Sequence, residues 1–158
     1  MEITVGIADL GVSHGPNDTL VTYALGSCIA VLIHAPAQRL AGLLHYMLPS
    51  STVSPEKAHS VPAMFADTGI PALIARMTRR GAQKKDLLVK VAGGAQLYDD
   101  GGMFDIGRRN YVAVRELFDG EGIKIASADV GGSLSRTVRI WAATGRVVVH
   151  SQGKQRDL

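Results

Sequence analysis

The sequence predicts an α+β fold built mainly from short strands, with two main helices. Glycine contributes 18 of the 158 residues, well above its average share of roughly 7%, and this abundance favours the tight turns of a sheet-rich fold. Short apolar runs rich in β-branched residues recur along the chain, as is typical of strands. Two segments show helical spacing of apolar residues, but strands and helices do not alternate as they would in a parallel βαβ fold.

The length and composition predict one domain over residues 1–150, followed by a frayed polar tail, SQGKQRDL, over residues 151–158. With 46% hydrophobic and 20% charged residues, the chain is not expected to be disordered. A net charge of +3 and 5% aromatic residues disfavour nucleic-acid binding. The basic stretch from Arg76 to Lys90 is interpreted as a solvated helix end and the loop that follows it.

The sequence also predicts the compartment. No apolar run reaches the roughly 18 residues of a membrane helix, so membrane insertion is not expected, and the N-terminal segment lacks the pattern of a signal peptide. Cys28 is the only cysteine, which excludes an intramolecular disulfide and a cysteine zinc cluster. A cytoplasmic location, where a lone thiol stays reduced, is expected.

The first half of the chain predicts strands and one antiparallel hairpin. Apolar runs at Cys28–Ala35 and Leu40–Leu48 flank a proline turn, which is the pattern of a hairpin. The other predicted elements are a strand at Ile3–Leu10, a loop at Gly11–Asp18, a strand at Leu20–Leu25 and a loop from Pro49 to Ser60.

The next part of the chain predicts the first main helix, over Pro62–Arg80. Its buried face is Ile70, Leu73, Ile74 and Met77, at helical spacing, and Gly81 is its expected end. Pro71 predicts a kink or break at Gly69–Ile70.

The remaining sequence predicts a second helix among further strands. This helix is expected over Asn110–Glu121, with Asn110 as its N-cap and Val114, Leu117 and Phe118 facing inward. The other predicted elements are a strand at Leu87–Val91, a turn at Gly93–Gly94, a loop from Asp99 to Phe104, strands at Ile123–Asp129, Thr137–Ala142 and Arg146–His150, and a turn at Ala143–Gly145.

The hairpin geometry brings a thiol and an imidazole together. If Pro36 and Ala37 are the central turn residues, Cys28 falls directly opposite His45, with their Cβ atoms about 4.5–5.5 Å apart. This placement depends on the loop length, because a change of one residue shifts the register. A neighbouring imidazolium would lower the pKa of the thiol and leave a nucleophilic thiolate.

The turn before the cysteine adds to this interpretation. Gly26 and Ser27 could direct backbone N–H groups at a developing oxyanion. The alternative interpretation is structural, since a lone cysteine in an apolar strand is usually an inert small hydrophobe. His34 lies too far along the strand to complete a metal site with Cys28. The remaining histidines, His14, His59 and His150, are expected at the surface.

At these residues the sequence resembles the CheD family, the bacterial chemoreceptor glutamine deamidases. The resemblance rests on five segments that span nearly the whole chain: TYALGSCIAVLIHAP, GLLHYMLP, KVAGGAQLY, FDIGRRN and DVGGSLSRTVRIWAATGRV. It implies that Cys28 is the nucleophile, that His45 is the catalytic histidine and that Thr22 is the third member of the group. It also implies a layered α/β sandwich with mixed, largely antiparallel sheets, similar to cytotoxic necrotizing factor-type deamidases.

The resemblance further implies a function. A family member converts Gln side chains of chemoreceptors to Glu and releases ammonia, without a metal or cofactor. The implied partners are the cytoplasmic domain of a methyl-accepting chemoreceptor and the CheC phosphatase. The alternative is an adaptor that binds and stimulates CheC without catalysis. A third possibility, a thiol redox switch at Cys28, is disfavoured by the absence of a resolving cysteine.

Overall fold

The computed structural model describes residues 1–96 and 105–158. The strands are β1 (Glu2–Thr4), β2 (Asp9–Ser13), β3 (Thr19–Leu25), β4 (Ile29–Ala35), β5 (Leu40–Tyr46), β6 (Leu88–Gly93), β7 (Ile125–Val130), β8 (Arg136–Trp141), β9 (Val147–Ser151) and β10 (Lys154–Asp157). The α-helices are α1 (Pro55–Ser60), α2 (Ala66–Thr78) and α3 (Ile106–Gly120). This composition confirms the predicted α+β class. The loop predicted from Asp99 to Phe104 falls outside the described residues, except that its flanks at Gln96 and Asp105 are placed.

The strands form two mixed sheets that are largely antiparallel. Sheet A has the order β1-β3-β8-β9-β10, and sheet B has the order β2-β5-β4-β6-β7. Each sheet has a single parallel pair among the described strands, β1 with β3 in sheet A and β6 with β7 in sheet B. The predicted hairpin is present as β4 and β5 at the centre of sheet B.

The fold has three layers, with sheet B in the middle. Alternate side chains of β4 point to opposite faces of the sheet: Ile29, Val31 and Ile33 pack towards the helices, whereas Ala30 and Leu32 pack towards sheet A. Because both faces of β4 are covered, all seven of its residues are buried. The inter-sheet layer between sheets A and B contains the candidate site.

Helix α2 covers sheet B with the predicted face, since Ile70, Leu73, Ile74 and Met77 are all buried. The predicted break at Gly69–Ile70 is wrong, because the helix runs without interruption from Ala66 to Thr78. The proline lies early in this helix, where its missing N–H removes one hydrogen bond near the N-terminus. The segment before Ala66 is a separate 3₁₀ turn, Pro62–Met64.

Four other predictions need correction. Ile3–Leu10 is two strands in different sheets, because the chain turns between Thr4 and Asp9 with Ala8 at a φ of 56°. The loop predicted from Pro49 to Ser60 contains a 3₁₀ turn and α1.

The C-terminal residues are exposed as expected but are not frayed, since β10 pairs with β9 from Lys154 to Asp157. Helix α3 begins at Ile106, so Asn110 lies within the helix and is not its N-cap.

Candidate active site

The register of the β4–β5 hairpin differs from the predicted one because its loop is longer than expected. Ala35 pairs with Leu40, so the connection is four residues long, with a 3₁₀ turn at Pro36–Gln38 and Arg39 in the left-handed region at a φ of 50°. His45 is therefore opposite Ala30. The prediction that Cys28 lies directly opposite His45 is wrong.

The two residues nevertheless lie on the same side of sheet B. Cys28 packs against the inter-sheet core, and His45 alternates along β5 with Ala41 and Leu43, which belong to that same core. Since Cys28 is two residues from Ala30, it is a diagonal neighbour of His45, a relation in which Cα atoms are about 7–8 Å apart and longer side chains can still meet.

Thr22 reaches His45 from the facing sheet. Its hydroxyl Oγ1 lies 2.7 Å from Nδ1 of His45, and both side chains are completely buried. Thr22 pairs with Val138 in sheet A, and a bulge follows at once, with Ala24 at a φ of 55°. The extra residue of the bulge lets Thr22 and Leu25 both face inward. The strand ends at Leu25, and the turn that carries Cys28 follows.

The other imidazole nitrogen, Nε2, has no partner in the described part of the chain. Nε2 of His45 is buried without a hydrogen bond to any of the described residues, Cys28 included. A buried polar atom left unpaired is costly, and such atoms are uncommon enough to mark functional sites. Because this nitrogen lies on the same side of sheet B as the Cys28 thiol, it can accept a proton from a bound group or donate one to a substrate.

Burial keeps both reactive groups neutral in the resting site. It lowers the pKa of His45 from 6.5 to about 4, because the charged imidazolium is poorly solvated there. Burial also raises the pKa of the Cys28 thiol, an effect that the backbone N–H of Cys28 partly offsets. The expected imidazolium that would stabilise a thiolate is therefore absent at neutral pH.

The turn before Cys28 is held by its carbonyl groups. Gly94 N donates to Cys28 O at 2.8 Å, and Ala95 N donates to Gly26 O at 2.9 Å. A side chain at Gly93, whose φ is +113°, would collide with the carbonyl oxygen of Cys28. The backbone N–H groups of Gly26, Ser27 and Cys28 have no backbone acceptor within residues 1–96 and 105–158.

Asn110 was missed as a member of the site. It is completely buried in α3, and its Nδ2 donates to Ser27 O and to Met47 O, each at 2.9 Å. It therefore connects the turn before Cys28 with the end of the strand that carries His45. One sequence signal could have identified Asn110. It is a polar residue one helical turn before the apolar Val114, and so it lies on the buried face of α3.

The remaining histidines lie away from this group. His34 faces the inter-sheet layer far from Cys28 along β4, and its Nε2 lies 3.0 Å from Ala142 O. His14, His59 and His150 are exposed, as predicted. Within the described ranges, no three His, Cys, Asp or Glu side chains are placed to share a metal ion.

Comparison with known proteins identifies the family. The model of the family described as CheD chemotactic sensory transduction matches residues 47–151.

The described part of the chain has no helix of the length and hydropathy needed to span a bilayer.

Three curated relatives match nearly end to end. A protein of Solibacter usitatus named probable chemoreceptor glutamine deamidase CheD is 47% identical, over 99% of this chain and 93% of its own length. Proteins of Anaeromyxobacter dehalogenans and Syntrophus aciditrophicus with the same name, numbered 2 and 1, are each 49% identical, over 94% and 96% of this chain and 94% and 95% of their own lengths. By these matches, the chain belongs to the CheD family.

Proposed function

We propose that this protein is a protein-glutamine deamidase that acts on chemoreceptors, with Cys28 as its nucleophile and His45 as its acid–base group. The observation that carries the proposal is the arrangement of His45. Its Nδ1 lies within hydrogen-bond distance of Thr22, while its Nε2 has no partner among residues 1–96 and 105–158 and lies on the side of sheet B that holds Cys28. A catalytic base held by a third group beside a nucleophile is the general pattern of covalent catalysis.

The first half of the reaction forms a thioester. As Cys28 Sγ attacks the side-chain carbonyl carbon of the substrate Gln, Nε2 of His45 takes the thiol proton. The substrate oxygen becomes an oxyanion, which accepts hydrogen bonds from backbone N–H groups at Gly26, Ser27 and Cys28. The imidazolium then gives its proton to the departing nitrogen, the C–N bond breaks, and ammonia leaves.

The second half restores the enzyme. Nε2 of His45 removes a proton from a water molecule as that water attacks the thioester carbonyl. The C–S bond breaks, the imidazolium returns its proton to Sγ, and the product side chain is Glu. The net change is one water consumed and one ammonia released for each Gln, which requires no redox partner.

The contact with Thr22 is compatible with the tautomer that this chemistry needs. Nε2 accepts a proton only if Nδ1 carries the ring N–H, and in that tautomer the Thr22 hydroxyl accepts a hydrogen bond from that N–H. Because a hydroxyl is neutral, it holds the ring without stabilising the imidazolium as strongly as a carboxylate would. The neutral resting imidazole is consistent with this arrangement.

The names of the relatives support a chemoreceptor as substrate. The proposed substrate is therefore the cytoplasmic domain of a methyl-accepting chemoreceptor. The family resemblance adds the CheC phosphatase as a second proposed partner. With such a substrate, the proposed location is the cytoplasm.

The test is incubation of the purified protein with a purified receptor cytoplasmic domain, followed by ammonia measurement and peptide mapping of Gln-to-Glu conversion. We expect Cys28→Ala to abolish both signals, whereas the matched control His34→Gln, on the same side of sheet B but far from the site, retains them. Conversion by Cys28→Ala at the wild-type rate would exclude the proposed mechanism.

A further inference from the structure

We infer that Asn110 is a positioning residue that orients the backbone N–H of Cys28 towards the oxyanion. The inference rests on the proposed deamidase function and assigns a role to a helix that carries none of the reacting groups. Its basis is the pair of hydrogen bonds from one Nδ2 to Ser27 O and Met47 O.

The orientation of the Asn110 amide is fixed by its partners. Both neighbours at 2.9 Å are backbone carbonyl oxygens, which only accept hydrogen bonds, so the nitrogen must face them. Oδ1 is buried and has no partner in the part of the chain that the structure describes. The amide group thus uses both of its N–H bonds on the site.

Fixing the Ser27 carbonyl also fixes the Cys28 N–H. The peptide group between these residues is planar, and in a trans peptide the C=O and N–H bonds point in opposite directions. Since Ser27 O points towards α3, the N–H of Cys28 points away from α3, towards the inter-sheet side where the thiol packs. The effect of that N–H on the pKa of its own thiol agrees with this direction.

The helix itself is held close to the turn. At Gly107, one turn before Asn110, a Cβ atom would lie 2.5 and 2.6 Å from the carbonyl oxygens of Gly94 and Ala95, so only glycine permits this approach. The Tyr46 hydroxyl donates to Asn110 O at 2.5 Å. These contacts keep the amide in place, and a preorganised donor needs no rearrangement during the reaction.

The test compares two substitutions of Asn110 with a control. Asn110→Leu keeps roughly the size of the side chain but donates no hydrogen bond, and Asn110→Ala removes the amide group altogether. The control is His34→Gln, whose side chain bonds to Ala142 O in the inter-sheet layer and whose substitution leaves both bonds of the Asn110 Nδ2 in place. A circular dichroism spectrum like that of the wild type qualifies each variant.

Three measurements separate orientation from general damage. We expect kcat for receptor deamidation to fall roughly 100-fold in both Asn110 variants, as for loss of an oxyanion donor, with KM changed by less than about twofold. The rate of Cys28 alkylation by iodoacetamide, a displacement that forms no oxyanion, should stay within about twofold of the wild type in Asn110→Ala. The NMR order parameter of the Cys28 amide should fall from about 0.85 towards 0.6.

The outcomes are distinguishable. A kcat within about twofold of the wild type in Asn110→Ala would overturn the inference, and so would a parallel loss of deamidation and alkylation in both variants. If the wild-type protein itself does not deamidate the receptor, the proposed function fails, and the order parameter alone then decides whether Asn110 holds the Cys28 peptide group. An unchanged order parameter would refute that.

Discussion

Burial of His45 makes the stability of the protein depend on pH in a defined window. Its pKa is about 4 in the folded state and 6.5 as a reference for the unfolded chain. Between these values the unfolded state binds more protons, so the free energy of unfolding falls as the pH falls from 6.5 towards 4. Above 6.5 the contribution is fully present.

The size of this effect follows from the two pKa values. Since one pKa unit corresponds to about 1.36 kcal/mol, the shift represents roughly 3 kcal/mol in total, of which roughly 2 kcal/mol is lost between pH 7 and pH 4.5. The perturbation is His45→Gln, a neutral side chain that can still bond to Thr22. The variant should lack this component at every pH.

The assay is urea unfolding followed by the fluorescence of Trp141, the only tryptophan, from pH 7 to 4.5. His34, whose pKa is also lowered by burial, and the carboxylates titrate in both proteins, so their contributions cancel in the difference. We expect the difference in the free energy of unfolding between wild type and His45→Gln to shift by roughly 2 kcal/mol in favour of the variant as the pH falls. If the free energies of unfolding of the two proteins change in parallel with pH, and ΔG depends equally on urea concentration in both, then burial does not lower the pKa of His45.

Three other predictions concern the chemistry. Because burial raises the pKa of Cys28, iodoacetamide should label this thiol slowly at pH 7 and progressively faster up to and beyond pH 9. The substitution His45→Ala should change the labelling rate at pH 7 little. Rapid labelling of the wild type at pH 7 would instead show a preformed thiolate. Thr22→Val, which keeps the shape of the side chain and removes the hydroxyl, should lower kcat by roughly 10- to 100-fold with KM little changed, as measured by ammonia release against a His34→Gln control; full activity would exclude a role for the hydroxyl. Rising CheC concentrations should inhibit deamidation competitively if both partners cover the mouth beside Cys28, and deamidation that is unaffected by saturating CheC would place the phosphatase elsewhere, such as on the basic Arg76–Lys90 surface.

The sequence predicted the class of the fold and most strands because apolar segments alternate with polar turns. β4 is a short, continuous, β-branched apolar run next to a proline turn, α2 has apolar residues at helical spacing, and both were placed to within a few residues. β10 has no such pattern, since all of its residues are exposed, and its hairpin turn uses Gln152 in the left-handed region at a φ of 49°. Prediction from apolar periodicity therefore failed at this exposed edge strand.

The sequence proposed the residues of the candidate site, but it did not predict their geometry. Cys28 and His45 followed from the hairpin, but their register depended on whether the loop has two residues or four, and a left-handed Arg39 has no clear sequence signal. Thr22 followed only from the family resemblance, because a buried threonine in a strand is ordinary β-branched packing. Asn110 was missed because its partners are carbonyl groups brought together by tertiary contacts.

The pairing of β3 with β8 has a consequence for when the thiol first becomes reactive in a growing chain. Cys28 and His45 belong to a local hairpin, which can form soon after synthesis of its strands. Thr22 faces His45 from β3, whose partner β8, with Val138 opposite Thr22, is made only after β4 to β7. On the ribosome the His45 imidazole would thus remain unanchored by Thr22 until sheet A closes, and during this interval the proposed nucleophile would be present without a positioned base.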